Sequence, residues 1–223
     1  MVAFWIKIWY IYAEMKESYK MLLIDCDGTC YPWDKEFNGS FKPALKQTAV
    51  QVGISSQVYE QKSLEVRGKH VGMMNFILAL GNGDLSRYHQ FVQLWCQKLE
   101  YQRIQPNPRL GDLLQKNKDS VCIVTNNCRA HVDLVWKRLF PERQPDVRVM
   151  AIEDTYDGQW FHSKQDTDGF CRVCRQLNLS PEAGILLDDS PIVLGIAKQA
   201  GLQTRRVTAQ KNLMMHLNEL VRE

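Results

Sequence analysis

Two carboxylates, Asp25 and Asp27, stand two residues apart in Asp25-Cys26-Asp27-Gly28-Thr29, where the apolar run beginning at Met21 ends. Hydrolysis of a phosphomonoester needs a nucleophile, a proton donor for the leaving oxygen and neutralisation of the phosphoryl charge. Two carboxylates at the tip of a strand can share the first two tasks. Asp25 is free to attack phosphorus, and Asp27 can protonate the leaving group and later activate water. Gly28 permits a turn that other residues resist, and backbone N–H groups in such a turn can hold phosphate oxygens. Further along the chain, Thr125 and Asn126 close the apolar run Val121–Val124, and Asp188 and Asp189 close Gly184–Leu187. Two acidic pairs brought close together are costly unless a cation neutralises them.

The elements that must position these residues follow from hydrophobic periodicity. Residues 21–27, 120–126, 147–152, 184–189 and 202–207 read as short buried strands. Helical spacing marks 109–117, 129–139, 166–178, 191–200 and 211–221, and Gly201 ends the fourth of these. Alternation of strands and helices predicts an α/β fold with a parallel sheet, and ligands in such sheets bind at the carboxyl ends of strands. Between the first two strands lies a long helical stretch. Phe41, Ala44, Leu45, Thr48, Ala49 and Val52 share one helix face, and so do Leu85, Tyr88, Phe91, Val92, Trp95 and Leu99. With 57–67 and 70–80 between them, residues 38–100 read as an all-helical insertion of about four helices.

Asp-x-Asp-Gly-Thr after an apolar strand resembles the first motif of the haloacid dehalogenase superfamily. Thr125 resembles its second motif, Lys164 its third, and Asp188-Asp189 its fourth, in the family's order. The resemblance spans residues 21–207 and implies a Rossmann-like parallel-sheet core with an inserted helical cap of type 1. With an aromatic N-terminal arm at 1–20, the expected division is a catalytic core at 21–37 and 101–223 and a cap at 38–100. The resemblance further implies a Mg2+-dependent phosphatase working through an aspartyl-phosphate. In that scheme Asp25 is nucleophile and metal ligand. Asp27 is the general acid/base and lends its backbone carbonyl to the metal. Thr125, helped by Asn126, and Lys164 bind phosphate, while Asp188 and Asp189 hold Mg2+. Lys164 lacks the proline that often follows this lysine in the family. The sequence Thr29-Cys30-Tyr31-Pro32-Trp33 is similar to the pyrimidine 5'-nucleotidase branch. There Tyr31 and Trp33 would either stack on an aromatic leaving group or brace the cap hinge.

A cap makes a small phosphorylated metabolite or nucleotide the expected substrate. The alternatives are a protein phosphatase acting on phosphotyrosine, a phosphomutase, and a non-catalytic binding domain. The 223 residues carry a net charge of +3 and no basic run, which gives no support to a nucleic acid polymer as partner. The seven cysteines are odd in number, which points to reduced thiols in the cytoplasm rather than a disulfide framework. Cys171-x-x-Cys174 lacks two further ligands for zinc. His70, His89, His131 and His216 show no metal spacing and read as structural or surface residues. The opening MVAFWIKIWYIYA is too short to span a bilayer and lacks a cleavage site. It reads as an arm packed on the core; the competing reading is a membrane-interface or partner anchor through Trp5, Trp9 and Tyr10.

Overall fold

The computed structural model describes residues 21–66 and 72–220. The expected N-terminal arm at 1–20, including Trp5, Trp9 and Tyr10, lies outside the described residues, as does His70. Five parallel strands form the sheet: β1 (Met21–Ile24), β2 (Val121–Val124), β3 (Arg148–Met150), β4 (Gly184–Asp188) and β5 (Gln203–Arg206). Their spatial order is β3-β2-β1-β4-β5, so β1 is central and the order of strand addition reverses beside it. In β1, Leu22 and Ile24 face one core cluster and Leu23 the other. This is the two-residue alternation of a strand buried on both sides.

The predicted strands are present but shorter. Asp25 and Asp27 lie just past β1, although the Asp25 amide continues the ladder to the Leu187 carbonyl at 2.9 Å. Between β1 and β2 run α1 (Lys35–Gly39), α2 (Phe41–Gln51), α3 (Ser56–Val66), α4 (Met73–Leu80), α5 (Leu85–Cys96) and α6 (Pro108–Lys116). The expected boundary between residues 37 and 38 falls inside α1. After β2 come α7 (Arg129–Leu139), α8 (Thr167–Gln176), α9 (Pro191–Gln199) and α10 (Leu213–Leu220).

Local chemistry starts these helices. Asp34, Asp84, Asn107, Asp166 and Ser190 each accept a hydrogen bond from a first-turn amide of α1, α5, α6, α8 and α9. Pro108 and Pro191 follow two of these caps, where a missing N–H costs nothing. The apolar faces of α2, α4 and α5 join one sheet face in a single core that includes Leu45, Ile77, Tyr88, Phe91 and Trp95. Two hydrogen bonds tie α4 to the core across that seam. Asn75 Nδ2 donates to the Phe161 carbonyl and the Phe161 amide donates to Asn75 Oδ1, both at 2.9 Å. No helix among the described residues is long and apolar enough to cross a membrane.

Candidate active site

The tips of β1, β2 and β4 deliver Asp25, Thr125, Asp188 and Asp189 to one end of the sheet. Asp25, Thr125 and Asp188 are all buried. Carboxylate oxygens of Asp25, Asp188 and Asp189 lie within 4.8 Å of one another. Lys164 arrives from the segment before α8. Its Nζ donates to Asp25 Oδ1, and to Asp188 Oδ2 at 2.8 Å. Two local features place that lysine. Asn126 Oδ1 accepts the Lys164 backbone amide at 2.7 Å. Gly169 lets α8 approach so closely that a Cβ there would run into the Ser163 carbonyl oxygen.

Charge explains the electrostatics. Burial pushes the Asp25 carboxyl up to about 7, a rise that Lys164 opposes and the neighbouring Asp188 and Asp27 reinforce. Burial also disfavours the Lys164 ammonium, but Asp188 and Asp25 outweigh it and hold the lysine charged. Once ionised, three carboxylates against one ammonium leave two negative charges. An all-oxygen set of this charge fits a hard divalent cation such as Mg2+. The Cys171-x-x-Cys174 pair joins no comparable group among the described residues, and none of the seven cysteines is in a disulfide.

Asp27 has different company. Its Oδ1 accepts from the Tyr31 hydroxyl and from His131 Nε2, the latter at 2.8 Å. Its Oδ2 accepts from Asn127 Nδ2 at 2.7 Å and lies 3.5 Å from Thr125 Oγ1. Burial alone would raise the Asp27 carboxyl, but His131, Tyr31 and Asn127 outweigh it and hold it well below the usual range. Burial likewise opposes the charge on His131, and Asp27 reverses that and raises it. The two acids of one short motif are thus driven apart in acidity.

Gly28 turns the chain at φ +87°, and a Cβ there would overlap the Trp33 ring nitrogen and crowd the Asp189 carboxylate. Trp33 Nε1 donates to Asp189 Oδ2, while the ring stays 56% exposed. Burial raises the Asp189 carboxyl, against the pull of that indole N–H. Trp33 also lines a cleft of about 810 Å³ with Gly28, Leu110, Asp189 and Arg206. A smaller cavity of about 210 Å³ lies between the helical insertion and the core, lined by Phe41, Met74, Asn75, Asn126, Asn127 and Ser163.

Of the residues singled out from sequence, Asp25, Asp188, Asp189 and Lys164 meet directly, and Thr125 sits beside the Asp27 carboxylate. Asn126 is one step removed: its side-chain oxygen holds the Lys164 backbone. Tyr31 is buried, with its hydroxyl on Asp27 and its ring 6.2 Å from that of Phe37 in α1. Sequence reasoning missed Asn127. It also treated His131 as structural or surface, whereas His131 is fully buried on Asp27. The available signal was a lone imidazole among the apolar positions Val132, Val135 and Trp136 of α7.

The sequence matches no family model and no curated protein. Solved structures do resemble the fold. A HAD family enzyme from Bacteroides thetaiotaomicron, in complex with magnesium and inorganic phosphate, aligns at TM-score 0.53 and 20% identity, over 87% of this chain and 97% of that one. CbbY from Rhodobacter sphaeroides, in complex with xylulose-1,5-bisphosphate, aligns at TM-score 0.55 and 17% identity, over 88% and 89%. A dehalogenase in an intermediate complex aligns at TM-score 0.50 and 20% identity, over 87% of each chain. The fold of this chain is that of the haloacid dehalogenase-like hydrolases.

Proposed function

We propose that this chain is a Mg2+-dependent phosphomonoester hydrolase that forms an aspartyl-phosphate on Asp25 and acts on a small phosphometabolite or nucleotide. The observation that carries the reading is the division of labour between the two acids. Asp25 lies against Lys164 and the Asp188-Asp189 pair, while Asp27 is held apart by neutral donors and an imidazole.

In the first step an Asp25 oxygen forms a bond to phosphorus as the bond to the leaving oxygen breaks. Asp27, ionised in the free protein, takes up a proton as the phosphate dianion binds beside it and gives that proton to the leaving oxygen. In the second step Asp27 takes a proton from water as the water oxygen bonds to phosphorus, which frees Asp25 and inorganic phosphate. Lys164 and Thr125 hold the non-bridging phosphoryl oxygens, and Asn126 fixes the Lys164 backbone. Mg2+, held by Asp25, Asp188, Asp189 and the Asp27 carbonyl, would neutralise phosphoryl charge. Helices α2 to α5, within the expected cap at 38–100, act as a cap over this site. The 210 Å³ cavity beneath them suits a small substrate better than a protein.

The relatives lend support at the level of fold. One holds magnesium and phosphate, and another a sugar bisphosphate. A dehalogenase shares the fold too, but three carboxylates around one lysine suit phosphate and metal chemistry better than halide displacement. The test is a phosphatase panel with Mg2+, comparing wild type with Asp25→Asn. It should span aryl phosphates, nucleoside monophosphates, sugar phosphates and phosphotyrosine peptides. Turnover of metabolites that disappears in the variant is the expected result. Preference for phosphotyrosine peptides would select the protein phosphatase, and no turnover of any member would sink the assignment.

A further inference from the structure

Among the described residues His131 is the buried imidazole that meets Asp27, and its ring is fixed on every side. Both nitrogens are engaged. Nε2 donates to Asp27 Oδ1 at 2.8 Å, and Nδ1 meets the Tyr101 hydroxyl at 2.9 Å. The Phe37 and Trp95 rings stack nearly parallel to it, with centroids at 6.3 and 6.2 Å. Phe41 meets it edge-on at 5.7 Å. These rings come from α1, α2 and α5, so the helical insertion sets the direction in which a core histidine points.

That direction has a consequence for Asp27. Its Oδ1 already accepts two donors, Tyr31 and His131. Oδ2 accepts a short bond from Asn127 and a longer one, at 3.5 Å, from the hydroxyl of Thr125, the proposed phosphate binder. A carboxylate oxygen offers two acceptor positions; the Thr125 hydroxyl can rotate to the phosphoryl group and free one on Oδ2, whereas the buried Tyr31 and His131 keep both on Oδ1 filled. We propose that His131, backed by Tyr101, is a positioning residue that saturates Asp27 Oδ1 and so leaves Oδ2 as the atom that passes the proton to the leaving oxygen. The inference rests on the phosphatase reading and deepens it. The proton that Oδ2 takes up beside the bound phosphate dianion moves to the leaving oxygen as its bond to phosphorus breaks, and the electron pair of the O–H bond stays on Asp27.

A group that only positions the general acid matters most when the leaving oxygen needs its proton. Phenyl phosphate has a poor leaving group and 4-nitrophenyl phosphate a good one. The experiment measures kcat and KM on both for wild type, His131→Phe, His131→Gln and Tyr101→Phe, all with Mg2+. General acid catalysis contributes about 10²–10⁴-fold. His131→Phe should therefore lower kcat on phenyl phosphate by about 100-fold, but by less than about 10-fold on 4-nitrophenyl phosphate, with KM little changed. His131→Gln keeps an N–H donor near the Nε2 position and should recover most of the lost rate. Tyr101→Phe removes a single hydroxyl, so it keeps the packing if His131→Phe does not fold, and it should show the same selectivity at about 5-fold.

Equal losses on the two substrates, in Tyr101→Phe and in whichever His131 variant folds, would mean that His131 is a satisfied core residue, and would overturn the inference alone. Faster turnover in the variants would overturn it too, since the clamp would then be holding Asp27 away from the leaving group. A wild type inert toward both phosphates overturns the phosphatase reading, and the inference with it.

Discussion

At the strand tips, Asp25, Asp188 and Lys164 are buried charges that answer chiefly to one another, and Asp25 is pushed up to about 7 by burial. At the seam between the helical insertion and the sheet, the buried polar groups are matched with hydrogen-bond partners. Asn75 exchanges two hydrogen bonds with the Phe161 backbone, and the Tyr88 hydroxyl donates to Glu153 Oε1 at 3.2 Å. A buried cluster with surplus charge is poor for stability, since apolar residues of equal volume usually serve better. A buried amide with both partners met is structural. The contrast separates a region arranged for chemistry from one arranged to hold the insertion in place.

The sharpest way to break the comparison is at Asp25. Asp25→Asn should lower turnover about 10³-fold or more while the melting temperature stays within about 4 °C, because a buried charge is removed without loss of shape. Turnover assays and thermal unfolding on one preparation decide it. Unfolding of the variant would make the tip a structural element after all. Chelation should have an effect nearly as large. Excess EDTA should abolish turnover and readded Mg2+ restore it, whereas full activity in chelator would remove the metal from the scheme.

Lys164→Met sharpens the same contrast. It leaves three carboxylates without their ammonium, and breaking a buried pair in this way costs about 3–5 kcal/mol. The variant should lose about 100-fold in kcat. Its melting temperature should rise with Mg2+ by more than that of wild type. Identical metal-induced shifts in the two proteins would show that the lysine does not share the charge of the cluster.

At the seam, Asn75→Ala strands the Phe161 N–H and carbonyl in a buried position. A cost of about 2–3 kcal/mol is expected in urea unfolding, with kcat changed by less than about 10-fold. A large fall in kcat with unchanged stability would move Asn75 from the seam to the site.

How much of this was legible in the sequence depended on how local the signal was. Asp25, Asp27 and the Asp188-Asp189 pair follow apolar runs, and a strand tip in a parallel sheet is where such residues converge. Lys164 meets Asp25 across 139 positions and was recoverable only through the order of motifs. His131 reaches Asp27 across 104 positions, and its apolar neighbours on α7 announce burial but not the partner. The four rings that fix it come from α1, α2, α5 and the turn Tyr101–Arg103, so its role depends on tertiary packing. Asn126 and Asn127 show the same limit at close range. The sequence offered two adjacent amides, and backbone direction decides which one faces Asp27 and which one holds Lys164.

The smallest expected effect tests the seam by pH. Glu153 accepts from the Arg129 backbone amide at 3.1 Å as well as from Tyr88, and burial raises its carboxyl above the ordinary glutamate value despite those bonds. A raised native pKa means that the folded protein holds a proton that the unfolded chain has already released. The stabilisation is therefore fully present below the unfolded value, near pH 4, and is lost as pH rises through the native value. Glu153→Gln keeps an acceptor for the Arg129 amide and removes the charge. It should unfold at a higher temperature than wild type at pH 7, by about 1 kcal/mol or less, and lose that advantage at pH 4 where Glu153 is itself neutral. Thermal unfolding of both proteins from pH 4 to 8 measures the difference. A gap that stays constant over that range would mean that Glu153 never bears a penalised charge, and that the seam tolerates charge as the strand tips do.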